Sequence, residues 1–76
     1  MKIDEFIELF AEQCDETDRG EFIATTQFKN IEEWSSLTAL SVIAMVDEEY
    51  DVTLKGNDLE SSTTIEDLFK LVNSKL

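Results

Sequence analysis

The sequence predicts an all-α fold: a small antiparallel bundle of three main helices, a candidate short helix and a long first loop. Three stretches repeat apolar residues at the spacing of an amphipathic helix. The 76 residues include no proline and only two glycines, so little in the chain interrupts helices. With 42% hydrophobic residues, a chain of this length is expected to form one domain, residues 1–76, around a modest core.

The first helix is predicted from about Lys2 to Asp15. Its apolar residues recur at helical spacing, and acidic residues occupy the other faces. The apolar positions are Ile3, Phe6, Ile7 and Phe10. The polar residues 17–20, which end in a glycine, are expected to end this helix.

The segment from about Glu16 to Trp34 shows no sustained period, although it carries several large apolar residues. These are Phe22, Ile23, Phe28, Ile31 and Trp34. We expect them to hold the loop against the helices, because a long connection without regular structure is unusual in a compact domain. Phe28 and Trp34 could instead line a ligand pocket, but large aromatic residues in a small domain more often belong to the core.

The second helix is predicted from about Ser36 to Tyr50. At roughly 100° per residue, its apolar side chains fall on one broad arc that is expected to be buried. This arc comprises Ala39, Leu40, Val42, Ile43, Val46 and Tyr50. The opposite, mixed side comprises Thr38, Ser41, Met45, Glu48 and Glu49, with Leu37 and Ala44 at its edge. Such a face either docks partners through apolar residues and carboxylates or is simply solvated.

Residues 51–58 are predicted to form a loop that ends at the turn signal Gly56-Asn57, with Leu54 turned inward. Residues 58–60 are the candidate short helix, which closes on residues 61–62.

The final helix begins at a capping-box pattern, Thr63 with Glu66. Its apolar stripe comprises Ile65, Leu68, Phe69, Val72 and Leu76. Acidic residues near its start and lysines near its end complement the helix dipole. The periodicity therefore indicates a helix that packs one face on the core.

Charge and composition exclude several classes of function. Eighteen Asp and Glu against six Lys and Arg give a formal charge of −12, so we expect no nucleic-acid binding and partners that carry basic patches. Without histidine, neither a Ser-His or Cys-His catalytic apparatus nor a usual zinc site can be assembled. The acidic cluster of Asp47, Glu48, Glu49 and Asp51 lacks EF-hand spacing, so we expect a solvated surface and no metal site.

Cys14 is the only cysteine, so no intrachain disulfide can form, which agrees with a reducing compartment. We expect its side chain to act as a small buried hydrophobic group. The N-terminal residues lack the pattern of a secretory signal, and no stretch approaches the roughly 18 apolar residues of a membrane span. We therefore expect a cytoplasmic protein. We also expect a monomer and, because no catalytic apparatus can be assembled, a substrate of enzymes and not an enzyme.

The stretch Trp34-Ser35-Ser36-Leu37 lies where the long polar segment meets the most strongly patterned helix. Backbone N–H groups at a helix start lack intrahelical partners, and the macrodipole is positive there, so a phosphate ester is electrostatically favoured. Ser36 is therefore a candidate attachment site for a phosphate-linked prosthetic group. The alternative is that Ser35 or Ser36 only caps the helix.

Residues 31–52 resemble the modification-site helix of acyl carrier proteins. In that family Asp-Ser-Leu precedes an apolar helix that ends in an acidic cluster and an aromatic residue, and Ser36-Leu37 and residues 47–50 match this pattern. Residues 63–68 resemble the opening of the family's last helix, so the likeness covers nearly the whole chain. Ser35 stands where the family usually has aspartate.

The resemblance implies that a separate phosphopantetheinyl transferase moves 4′-phosphopantetheine from coenzyme A to the Ser36 hydroxyl. The thiol of this arm would hold acyl intermediates as thioesters in fatty-acid, polyketide or related biosynthesis. Acyl-loading and acyl-processing enzymes with basic patches would be the partners, and they would dock on Leu37, Thr38, Ser41, Met45, Asp47 and Glu48. An acyl chain inside the bundle would be lined by Leu40, Ile43, Val46, Leu68 and Val72.

Two alternatives to an acyl carrier remain at this stage. The chain could carry aminoacyl or peptidyl groups in a nonribosomal pathway, although its strongly acidic second helix favours acyl groups. It could also be an acidic protein-interaction module in which Ser36 is only a helix cap.

Overall fold

A computed structural model describes residues 2–76 and shows an all-helical protein. The helices are α1 (Ile3–Ala11), α2 (Ser36–Tyr50), α3 (Gly56–Ser61) and α4 (Ile65–Ser74), and two short 3₁₀ helices, Arg19–Glu21 and Phe28–Asn30, lie between α1 and α2. The predicted small helical bundle with a long first loop is confirmed, and the candidate short helix is present as α3. None of the helices in residues 2–76 combines the length and the apolar character needed to cross a membrane.

The core lies where α1 packs against both α2 and α4. Its fully buried members on these helices are Phe6, Phe10, Val42, Val46, Ile65, Leu68 and Val72. Burial of these side chains is the main favourable term in folding. The apolar stripes predicted for the first and last helices are therefore confirmed near their centres, whereas Leu76 lies beyond the end of α4 and is exposed.

Aromatic packing holds the long first connection against α1. Phe22 and Phe28 are buried, and the Trp34 ring stacks on Phe10 with centroids 6.2 Å apart and an interplanar angle of 8°. The Phe28 ring meets Trp34 edge-on at 5.0 Å. Phe22 and Phe28 therefore belong to the core, and the half-buried Trp34 packs against it, so these three residues hold the loop in place as predicted. The same prediction is wrong for Ile23, which is exposed because it opens a tight turn closed by the Thr26 N–H, 3.1 Å from the Ile23 carbonyl.

Helix α1 ends at Ala11, earlier than the predicted end near Asp15. The N–H groups of Gln13 and Cys14 reach back only three residues, each at 3.0 Å, so the chain tightens out of the α-helix. The Gln13 side-chain amide donates to the Leu9 carbonyl at 3.1 Å and satisfies one of the last carbonyls. Cys14 is then placed inward and is buried, as predicted.

Helix α3 begins at Gly56, so Gly56-Asn57 opens a helix where the sequence predicted the end of a loop. The Asp58 carboxylate accepts a hydrogen bond from the Lys55 backbone N–H at 2.9 Å, which favours helix initiation at this point. Leu54 and Leu59, on either side of the helix start, are both buried. The inward position predicted for Leu54 is confirmed.

The cap of α4 lies one residue later than predicted. The Asp67 N–H donates to the Thr64 hydroxyl oxygen at 3.1 Å, and the Asp67 carboxylate accepts from the backbone N–H groups of Thr64 and Thr63, both at 3.1 Å. This is a capping box formed by Thr64 and Asp67 instead of Thr63 and Glu66. Because both pairs have the same spacing, the sequence pattern fits either register.

The Asp67 cap gives the fold a pH dependence. Hydrogen bonds from the backbone N–H groups of Thr64 and Thr63 hold the pKa of Asp67 below its ordinary value. A carboxyl group with a lower pKa in the folded state stabilises the fold above its unfolded pKa of about 3.9, and this contribution is lost as the pH falls through the folded value. We expect Asp67→Asn to be less stable than wild type at pH 7, with the difference shrinking below about pH 4.

Urea unfolding across this pH range measures the difference. The matched control is Glu66→Gln, which neutralises the neighbouring acid in the same turn but removes no hydrogen bond found within residues 2–76. A stability difference for Asp67→Asn that stays constant down to acid pH would contradict the assignment of the cap to the charged carboxylate.

Candidate functional site

Two adjacent serines at the start of α2 have different positions. Ser35 has extended backbone (φ −155°, ψ 175°) and is the N-cap, because its hydroxyl oxygen accepts from the Thr38 N–H at 3.3 Å and its carbonyl accepts from the Ala39 N–H at 2.9 Å. Ser36 is the first residue of the helix. Its side chain is exposed, and its hydroxyl makes no hydrogen bond within residues 2–76. The capping role therefore belongs to Ser35, and the Ser36 hydroxyl is accessible to a reagent or an enzyme.

Hydrogen bonds fix the start of α2 to the chain that follows α1. The Thr38 hydroxyl donates to the Glu33 carbonyl at 3.0 Å. The Glu33 carboxylate in turn accepts from the Thr17 hydroxyl at 2.6 Å and from the Glu16 N–H at 3.1 Å. These hydrogen bonds therefore fix the start of α2, where Ser36 lies, although the preceding residues belong to a long connection.

The exposed face of α2 is rotated from the predicted one. Thr38 and Met45, predicted as docking residues, are only 8% and 6% exposed, so the prediction that they lie on an outer face is wrong. Leu40, predicted to be buried, is 61% exposed. Apolar residues occur on all sides of α2, and its charged residues are confined to its last four positions, so the sequence defines the buried direction poorly.

The outer face of α2 comprises Leu37, Leu40, Ala44, Asp47 and Glu48, all of them exposed. Of the other predicted docking residues, Ser41 is half-exposed, and its hydroxyl donates to the Leu37 carbonyl at 3.2 Å. Leu37 is 75% exposed and, with Leu40, forms an apolar pair near Ser36. The sequence placed Ala44 at the edge of this face but assigned Leu40 to the buried arc, although the spacing of Leu37, Leu40 and Ala44 by three and four residues is the signal that places them on one face.

A groove of about 510 Å³ opens beside Ser36. It lies between the first half of α2, the helix α3 and the 3₁₀ helix Phe28–Asn30. Its lining residues are Lys29, Trp34, Ser35, Ser36, Ala39, Leu40, Ile43, Gly56, Leu59 and Glu60. Of the residues predicted to line an acyl site, Leu40 and Ile43 contribute to this groove.

The other predicted lining residues, Val46, Leu68 and Val72, are fully buried in the core and do not line the groove. They face the packed centre of the bundle, where side chains fill the space closely. Leu59 is a lining residue that the sequence analysis missed. It lies on α3, the element whose boundaries were least well defined by the sequence.

The first turn of α2, where Ser36 lies, favours an anion. The first turn of α2 contains no acidic residue, although the chain carries a charge of −12. The positive end of the helix macrodipole lies at this turn. Lys29 lines the same groove, and its ammonium group donates to the Glu60 carbonyl at 2.7 Å. A phosphate ester on Ser36 would therefore meet less repulsion there than on the acidic end of α2.

The Cys14 thiol is not available for chemistry at neutral pH. Burial, together with the nearby carboxylates of Glu33 and Asp15, raises the pKa of Cys14 to about 11. A thiol that is both protonated and buried is a poor nucleophile. In the part of the chain that the structure describes, no group of three or more potential ligands is placed to hold a metal ion.

Comparisons with known proteins assign no family to the chain. No family model matches it, no curated protein sequence matches it, and no solved structure matches its fold. The functional conclusion therefore rests on the residues around Ser36.

Proposed function

We propose that this protein is a carrier that holds acyl intermediates as thioesters on a 4′-phosphopantetheine arm attached to Ser36, in fatty-acid, polyketide or related biosynthesis. The observation that carries the proposal is the difference between the two serines. Ser35 satisfies the helix start, whereas the exposed Ser36 hydroxyl lies at the edge of an apolar groove. A role in capping therefore accounts for Ser35 but leaves Ser36 without a structural function.

The residues at this site fit a phosphate-linked arm. Ser36 supplies an accessible hydroxyl group to a separate phosphopantetheinyl transferase, and the first N–H groups of α2 and the Lys29 ammonium favour the charge of a phosphodiester. When attached, 4′-phosphopantetheine supplies a flexible arm that ends in a thiol, on which acyl groups are held as thioesters. Tethering keeps such an intermediate at a high effective concentration near any enzyme that binds the carrier.

The groove supports an acyl cargo more than an aminoacyl or peptidyl one. Leu40, Ile43 and Leu59 give its wall apolar surface that a hydrocarbon chain would bury. A charged amino group gains nothing from such surface, because burying it without a partner costs free energy.

The outer face of α2 supports docking of basic partners. Leu37, Leu40 and Ala44 offer apolar contact close to Ser36, and Asp47 and Glu48 place carboxylates at the far end of the same face. Exposed apolar side chains beside charges of one sign give contact area together with electrostatic steering. The transferase and the acyl-loading and acyl-processing enzymes would therefore present basic patches around an apolar contact.

Incubation with coenzyme A, Mg²⁺ and a broad-specificity phosphopantetheinyl transferase tests the proposal, with intact mass as the measurement. We expect the mass of one phosphopantetheine to be added to wild type and none to Ser36→Ala. Ser35→Ala is the matched control: it should keep the addition while losing about 1 kcal/mol of stability with the helix cap. The opposite pattern would move the attachment site to Ser35, and a bare wild-type protein would favour the acidic interaction module.

Thiol titration distinguishes the arm from any other covalent addition. At pH 7 the buried Cys14 thiol, with its pKa of about 11, should react slowly with a disulfide reagent. The modified protein should therefore gain one fast-reacting thiol that the Ser36→Ala variant lacks.

A further inference from the structure

We propose that Lys29 is a positioning residue that pairs with the phosphodiester on Ser36 and directs the arm along the groove. This inference rests on the function proposed above and assigns a role to one more residue of the site. It follows from three observations: what the Lys29 ammonium group contacts, that no carboxylate within residues 2–76 pairs with it, and which groove Lys29 lines.

Two contacts define the position of the ammonium group of the exposed Lys29 side chain. Its ammonium group donates to the Glu60 carbonyl at 2.7 Å and lies 5.9 Å from the centroid of the Phe28 ring. Among the lysines of residues 2–76, it is the one whose ammonium group makes a hydrogen bond. The backbone beside it is also fixed, since Phe28 is fully buried against Phe10 and Trp34.

The contacts of Lys29 leave its charge without a counterion. Within residues 2–76 the ion pair that forms is between Arg19 and Glu8, at 2.8 Å, and no carboxylate lies within ion-pair distance of Lys29. An ammonium group has three donors, and the Glu60 carbonyl uses one of them. Two N–H donors of the Lys29 ammonium group therefore remain for a ligand, in a chain whose net charge is −12.

Lys29 and Ser36 line the same groove. Glu60 lies on α3 and lines this groove as well, so the hydrogen bond from Lys29 to its carbonyl joins the loop before α2 to α3. A phosphodiester on Ser36 would have this cation on the groove side and the exposed Leu37 on the outer side. Pairing with Lys29 therefore turns the arm toward α3, and the outer face of α2 stays free for partners.

Phosphorus-31 NMR of the modified protein tests this pairing. We expect the phosphodiester resonance of Lys29→Met to differ from that of wild type. It should also lose most of its dependence on NaCl concentration, because the cation whose attraction salt screens has been removed. Lys29→Arg retains the cation and should restore both properties. Lys70→Met is the matched control, because it removes a lysine on α4 that lies outside the groove.

A second measurement uses the wild-type protein alone, so it does not depend on how well a variant folds. We expect nuclear Overhauser contacts between the ε-protons of Lys29 and the arm protons next to the phosphate. A modified protein that shows no such contacts, with the same phosphorus resonance in Lys29→Met and Lys70→Met, would overturn the pairing while leaving the carrier function intact. Failure of the transferase to modify Ser36 would overturn both.

Discussion

Replacing Phe10 with alanine is expected to lower the melting temperature by roughly 15–30 °C, because a buried Phe→Ala change costs about 3–5 kcal/mol. Phe10 is fully buried and touches four other aromatic rings. Their centroids lie 5.5 Å (Phe28), 6.1 Å (Phe22), 6.2 Å (Trp34) and 6.5 Å (Phe6) from that of Phe10. A 76-residue domain has only about 4–11 kcal/mol of stability in total, so little remains after this loss.

The same substitution should disturb the site, since Phe10 stacks on Trp34 and Trp34 directly precedes the two serines. Trp34 is the only tryptophan, so its fluorescence reports on this contact. We expect Phe10→Leu, which keeps apolar volume but loses the ring, to expose Trp34 at a lower urea concentration than the one at which the helices unfold by circular dichroism. Coincident transitions in that variant would show that the segment before Ser36 does not loosen separately.

The control for the Phe10 prediction is Phe69→Ala. Phe69 lies on α4 at the edge of the core, is half-buried, and meets one ring, that of Phe6, at 5.7 Å. Folding buries less of the Phe69 ring than of the Phe10 ring, and the residues around Phe69 can relax toward solvent. The fall in melting temperature should therefore be about half as large. Equal losses for the two variants would contradict the central place of Phe10.

The helices themselves could be predicted from the sequence, because their signals are local. Helix α2 begins at Ser36 and ends at Tyr50 as predicted, since no proline or glycine lies between Trp34 and Gly56. The stripe of α1 was also clear, because acids fill its other faces and leave a single apolar direction. The same local reading placed a serine at the start of α2 but left open whether Ser35 or Ser36 caps it, which the hydrogen bond from the Thr38 N–H to Ser35 decides.

The rotation of α2 could not be predicted, because it depends on which neighbouring elements cover each side. Met45 is covered where α2 meets α1, and Leu40 stays open because α3 leaves a groove next to it. The apolar pattern of α2 gave no reason to bury Met45 instead of Leu40, since leucine and methionine are about equally apolar. Lys29 was missed for the same reason: the position of its ammonium group depends on a hydrogen bond to Glu60, far away in the sequence.

Raising the NaCl concentration from 10 mM to 1 M is expected to increase the melting temperature by on the order of 10 °C. The molecule measures 29 × 24 × 20 Å and carries a charge of −12. At 10 mM salt the Debye length of about 30 Å reaches across the whole fold, so all the acids repel one another. At 1 M it is about 3 Å, and only adjacent charges interact. The unfolded chain holds its charges further apart, so salt stabilises the folded state more.

The acidic end of α2 should contribute a large share of this repulsion, because Asp47, Glu48, Glu49 and Asp51 are all exposed within five positions of the chain. The double variant Glu48→Gln/Glu49→Gln is therefore expected to melt higher than wild type at 10 mM NaCl and to respond less to salt. Lys2→Gln, the matched control, changes the charge in the opposite direction and should melt lower and respond more. A melting temperature that does not change with salt in all three proteins would mean that repulsion between the acidic residues does not destabilise the fold.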